Sequence, residues 1–101
     1  MRLVWTRRAR ADLEEIFDYI LQDNPTVASS VLDRIGEASL SLVEHPGMGR
    51  PGRVAGTREL VVAGLPWILP YTAHPDAVVI LRVLHAARQW PGDFDQGDHP
   101  A

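Results

Sequence analysis

Residues 45–60 read HPGMGRPGRVAGTREL, and the hydrophobic period of the chain changes across them. Upstream, apolar residues return every three or four positions, as on a helix; downstream, they gather in short β-rich runs. The stretch therefore divides a helical half from a sheet half. It holds four glycines, two prolines and three arginines, which suits either a bend from helix into sheet or a loop that grips an anion. It is not a P-loop, because the GxxxxGK[ST] spacing and its lysine are missing.

Before the loop, the segment LVW makes a short initial strand, and Thr6 offers an N-cap. Ala9, Leu13, Ile16, Phe17, Ile20 and Leu21 then recur at helical spacing, with Asp12, Glu14, Glu15 and Asp18 filling the other side. Asn24 can cap a second helix with Pro25 in its first turn. Val27, Val31, Leu32, Ile35, Ala38, Leu42 and Val43 carry its apolar face to His45-Pro46-Gly47. So short a connection makes the pair an αα-hairpin. Gly36, costly inside a helix, is expected to mark the close approach of a neighbour.

After the loop, ELVVA, WILPYTA and AVVILRVLHA are separated by GLP and HPD. They read as three consecutive strands joined by turns, the last buried on both faces or lying in mid-sheet. Pro70 inside the second run signals a bulge or an unpaired amide. The expected order is β-α-α-β-β-β, an α+β fold whose antiparallel sheet packs against an N-terminal helical hairpin.

At 101 residues the chain forms one domain. Residues 92–101, acidic and glycine-rich, are expected to be a flexible tail. No cysteine is present, which excludes disulfides and thiolate metal sites. No apolar run is long enough for a signal peptide or a membrane span, so a soluble, cytoplasmic protein without a membrane partner is expected.

The net charge of −3 argues against general nucleic-acid binding, but the charge is uneven. Residues 1–44 hold five arginines and eight acids, residues 45–90 five arginines and two acids. All ten basic residues are arginine. They stay protonated, can pair bidentately with phosphate or carboxylate, and cannot act as general bases.

Candidate chemistry lies in this basic half. Arg50, Arg53 and Arg58 belong to the loop, while Arg82, His85 and Arg88 lie on or just past the last strand. Strand alternation puts Arg82 and Arg88 on one face, and His85 joins them only if the strand ends or bulges first. Such a group suits phosphate chemistry, with His85 the one titrating member. Each residue also has a structural reading: a turn for the loop, a carboxylate pair for Arg82, a buried hydrogen-bonded site for His85, and core packing for Trp5, Trp67, Phe17 and Tyr71. His45, His74 and His99 show no metal-ligand spacing, and neither metal nor cofactor is expected.

In order, VWTRRARADLEEIFDYI, DNPTVAS, HPGMGRPGRVAGTREL and ILRVLHAARQWP resemble the RelE/ParE superfamily of type II toxin–antitoxin toxins. The resemblance spans residues 2–91 and is carried mainly by the RVLH..R..P ending. It implies the same β-α-α-β-β-β fold in a toxin domain over residues 1–91, and a growth-inhibiting toxin silenced by a cognate antitoxin. RelE-like members cleave mRNA on the ribosome, whereas ParE-like members poison DNA gyrase and lack the nuclease residues. In the nuclease case the catalytic set carries over to Arg58, Arg82 and His85. In either case Arg50, Arg53, Arg58, Arg82, Arg88 and Trp90 are the expected substrate or partner contacts. Trp90 stands near a tyrosine of several nucleases and has no phenolic proton to donate. That departure, with the lack of lysine and the acidic net charge, favours a non-enzymatic gyrase inhibitor. The mRNA endoribonuclease is the alternative, followed by a toxin-derived binding module without activity.

Overall fold

The computed structural model describes residues 1–91; the tail expected at 92–101 lies outside the described residues. The elements in chain order are β1 (Arg2–Trp5), α1 (Arg7–Leu21), α2 (Pro25–Glu44), β2 (Arg50–Pro51), β3 (Arg58–Val61), β4 (Trp67–Ala73), β5 (Ala77–Ile80) and β6 (Leu84–His85). Both helix starts follow from their caps. Thr6 Oγ1 accepts from the Ala9 amide at 3.1 Å, and Asn24 Oδ1 from the Val27 amide at 3.2 Å. Thr6 also donates to the Leu81 carbonyl at 2.9 Å, which ties the start of α1 to the sheet.

The helical hairpin covers one face of the sheet, whose order is β1-β5-β4-β3-β2. From β2 to β6 the ladder is antiparallel, as the short hairpin connections require. β1 joins the edge parallel to β5, with Arg2 opposite Ala77 and Trp5 opposite Ile80, so the whole sheet is mixed. β1 and β5 are not consecutive: the αα-hairpin and β2 to β4 lie between them, ample chain for a parallel pairing. Ala9 and Ile16 of α1 and Val31, Ile35 and Leu42 of α2 pack on Leu60, Leu69, Tyr71, Val78, Ile80 and Val83. Among the described residues, no helix is long and apolar enough to cross a membrane.

Besides the parallel β1 and the short β2 inside the glycine loop, two further details depart from the expectations. A Cβ at Gly36 would meet nothing within 4 Å, so no close neighbour explains that glycine. The last strand is also not continuous. β5 pairs Ile80 with Tyr71, β6 pairs Leu84 with Ile68, and both use the same edge of β4. Three steps along β4, from Ile68 to Tyr71, thus face four steps from Ile80 to Leu84, so one extra residue is accommodated as a bulge. Pro70 lies opposite it. Its carbonyl accepts from the Leu81 amide at 2.9 Å, and its nitrogen, which has no hydrogen, faces the same neighbour.

The glycine loop is fastened from beneath. Tyr71, fully buried, accepts from the Gly49 amide at 2.9 Å and donates to the Pro46 carbonyl at 2.8 Å. A Cβ on Gly49 would stand 2.6 Å from the Tyr71 hydroxyl and 2.8 Å from the Glu59 carbonyl oxygen. Glycine is required there by close approach.

Candidate functional site

The bulge decides what faces the helices. Directly opposed residues of an antiparallel ladder share a face, so Ile80 lies with buried Tyr71, and His85 with Trp67, which packs against the core. Between them, Arg82 reaches Asp12 of α1 and Val83 enters the core. The extra residue therefore turns Arg82, Val83 and His85 toward the helix side together, where regular alternation would have sent His85 away. Trp67 and His85 meet edge to face, their ring centroids 5.1 Å apart.

A cleft of about 510 Å³ opens between α1 and this end of the sheet. One wall is formed by Asp12, Glu15, Ile16, Tyr19 and Ile20. Trp67, Val83, His85, Arg88 and Trp90 form the other. The lining thus combines the acids Asp12 and Glu15 with His85, Arg88 and several apolar and aromatic side chains, the Asp12 carboxylate being held by Arg82 and the Val83 amide. His85 Nδ1 accepts from the Ala87 amide at 3.1 Å, which leaves Nε2 as the ring's donor. Trp90 Nε1 donates to the His85 carbonyl at 2.9 Å. Among the described residues Arg88, which is exposed, has no carboxylate partner.

The other candidate arginines bond to groups of the fold itself, Arg82 half-buried and Arg50, Arg53 and Arg58 exposed. Arg82 grips Asp12 through Nε at 2.7 Å and Nη2 at 3.0 Å, a bidentate pair, and the Val83 amide adds a third bond to the same carboxylate at 2.9 Å. The hydrogen bonds that Arg82 donates to the Asp12 carboxylate raise its pKa, against the opposing effect of burial. In the loop, Arg50 Nε and Nη2 reach Glu59 Oε1 at 3.2 and 3.1 Å, and the Arg53 amide donates to Oε2 at 2.8 Å. The Arg53 guanidinium stands 3.6 Å from Oε2. Glu59 is only 2% exposed, so these contacts compensate an otherwise costly buried charge. Arg58 Nη1 donates to the Gly49 carbonyl at 2.8 Å and, more weakly, to that of Gly47 at 3.5 Å.

The candidates are thus sorted rather than gathered. His85, Arg88 and Trp90 line the cleft; Arg82 adjoins it through Asp12; Arg50, Arg53 and Arg58 brace the loop. Sequence reasoning missed Asp12 and Glu59 as partners. Both left a signal: Asp12 flanks the apolar stripe of α1, and Glu59 is the one acid between Glu44 and Asp76. Among the described residues, no group of three or more His, Asp or Glu side chains is placed to hold a metal ion.

Comparison with known proteins bears on this arrangement. The model of the family described as the ParE toxin of the type II toxin–antitoxin system parDE matches residues 3–90. The putative toxin Y4kP of Sinorhizobium fredii is 51% identical over 90 residues, covering 89% of this chain and 93% of the relative. Toxin RelE2 of Caulobacter vibrioides is 44% identical over 87 residues, covering 86% of this chain and 97% of the relative. A solved chain from the chromosomal ParDE toxin–antitoxin system of P. aeruginosa superposes with a TM-score of 0.77 at 34% identity, covering 84% of this chain and 95% of that one.

Proposed function

The chain belongs to the ParE toxin family of type II toxin–antitoxin systems, and from that premise we propose that it is a non-enzymatic inhibitor of DNA gyrase, acting in the cytoplasm until its cognate antitoxin covers it. The observation that carries this reading is the internal engagement of the arginines. A ribonuclease needs cations converging on the pentavalent phosphate. Here Arg82 is held by Asp12, Arg50 and Arg53 by Glu59, and Arg58 by loop carbonyls. The cleft instead is lined by Asp12 and Glu15 together with His85 and Arg88. Carboxylates beside an apolar, aromatic floor suit a protein surface better than a phosphodiester backbone. The cleft is the partner-binding surface in this reading, with Arg88 and Trp90 as its contact residues.

One observation favours the mRNA endoribonuclease as a second reading. The bulge turns His85 into the cleft beside Arg88, an imidazole and, among the described residues, a cation without a carboxylate partner on one wall. Induction of the gene without its antitoxin separates the two. Gyrase poisoning gives filamentation, DNA breaks and the SOS response; the nuclease gives early arrest of translation and cleaved messages without DNA damage. Harmless accumulation of the folded protein would remove both in favour of an inactive binding module.

A further inference from the structure

Trp90 forms part of the cleft although it lies beyond the last strand, so something other than the ladder must hold it. Its indole Nε1 donates to the His85 carbonyl at 2.9 Å. One face of its ring is covered by the Arg53 guanidinium, whose Cζ stands 3.5 Å from the ring centroid. That distance is well inside the range of a cation–π contact. Arg53 does not line the cleft. It is anchored instead by Glu59 of β3, through its amide at 2.8 Å and its guanidinium at 3.6 Å. Arg50 satisfies the other carboxylate oxygen, so Glu59 stays buried with both oxygens engaged. A continuous line of contacts therefore runs from a buried carboxylate in the sheet, through a loop arginine, to an aromatic wall of the cleft.

Resting on the assignment of partner binding to the cleft, we infer that Arg53 is a positioning residue: oriented by Glu59, it fixes the Trp90 indole in the cleft wall, and partner binding depends on it without contact. A solvated cation in a loop needs neither a buried carboxylate at one end nor an indole on its face. The local chain explains why such a device is needed. After β6, among the described residues, the backbone is held by the Ala86 amide to the Pro66 carbonyl at 2.8 Å, beside the start of β4, and by two local bonds, the Arg88 amide to the His85 carbonyl at 3.2 Å and the Ala87 amide to the His85 ring. None of these reaches the Trp90 ring. Arg53 and the His85 carbonyl fix its orientation between them.

The test has two arms on the full-length chain. In the first, Trp5→Phe and Trp67→Phe leave Trp90 as the single tryptophan, and its acrylamide quenching is compared with and without Arg53→Ala. Quenching should rise about two- to fivefold, the range expected from losing one cation–π contact, with Arg53→Lys restoring part of the protection. In the second, growth-arrest potency on induction is read in a double-mutant cycle. Arg53→Ala should reduce potency in the native background and have no further effect on Trp90→Ala. Unchanged quenching would overturn the inference, as would an equal loss of potency in both backgrounds, since Arg53 would then touch the partner itself. Raised quenching with full potency would overturn it too, because the indole's position would not matter to binding. If the native chain arrests nothing, the toxin reading fails by itself and takes this cleft's role with it, while the quenching arm still decides whether Arg53 holds Trp90.

Discussion

Removing the Asp12 carboxylate strands both the Arg82 guanidinium and the Val83 amide, since all three bonds end on that one group. Asp12→Ala is expected to lower stability by about 2–3 kcal/mol, less than a fully buried pair because both side chains keep some contact with water. For a domain of this size, that is a fall in Tm of about 10 °C or more, read by thermal denaturation. Asp12→Asn, which keeps an acceptor for the Val83 amide, should fall less. On the arginine side the pair does not titrate near neutrality. The folded pKa of Arg82 is raised, so its contribution is complete below the unfolded value and is lost only as pH rises through the folded one. Arg88→Ala is the contrasting case: exposed, and without a carboxylate partner among the described residues, it should leave stability within about 0.5 kcal/mol while weakening growth arrest. On these outcomes, two arginines of the same segment, six residues apart, would divide into a structural and a contact role. Sequence left Arg82 open between function and a carboxylate pair, because the Asp12 partner lies 70 positions away.

At the scale of the elements, Gly36→Ala should stabilise the protein by about 0.5–1 kcal/mol, because the new methyl meets nothing and the unfolded chain loses freedom. A decrease in the urea midpoint would show that the site is tighter than its geometry indicates. The glycine loop should respond in the opposite way. Tyr71→Phe deprives the Gly49 amide and the Pro46 carbonyl of their partner, at a cost of about 1–3 kcal/mol in the same measurement. The limits of both helices were legible because caps are local: Thr6, Asn24 and Pro25 each act within one turn. The bulge was legible only as a choice. Pro70 signalled a bulge or an unpaired amide in its own run, and His85 was to face the helix side only if the last strand ended or bulged first; the register puts the extra residue on that last run, between Ile80 and Leu84, opposite Pro70. The split of the last run into β5 and β6 could not be read from AVVILRVLHA itself, since its apolar character persists across the break.

For the whole molecule, one core joining both helices to the sheet predicts one cooperative unfolding transition. Circular dichroism and tryptophan fluorescence should give coincident urea curves; separated midpoints would mean that the hairpin and the sheet unfold independently. The sequence by itself determined the β-α-α-β-β-β order, because hydrophobic period, caps and turn residues act over a few positions. With the ordered RelE/ParE motifs, it also determined the toxin family. The tertiary structure decided the rest: the parallel docking of β1 on β5, the convergence of His85, Arg88 and Trp90 on one cleft, the pairing of Arg82 with Asp12, and the bonding of the exposed Arg50, Arg53 and Arg58 to groups of their own loop and β3. The physical reason is range. An arginine looks the same in sequence whether it meets solvent, a partner or a buried carboxylate, and only folding brings Asp12 and Glu59 within a hydrogen bond's length.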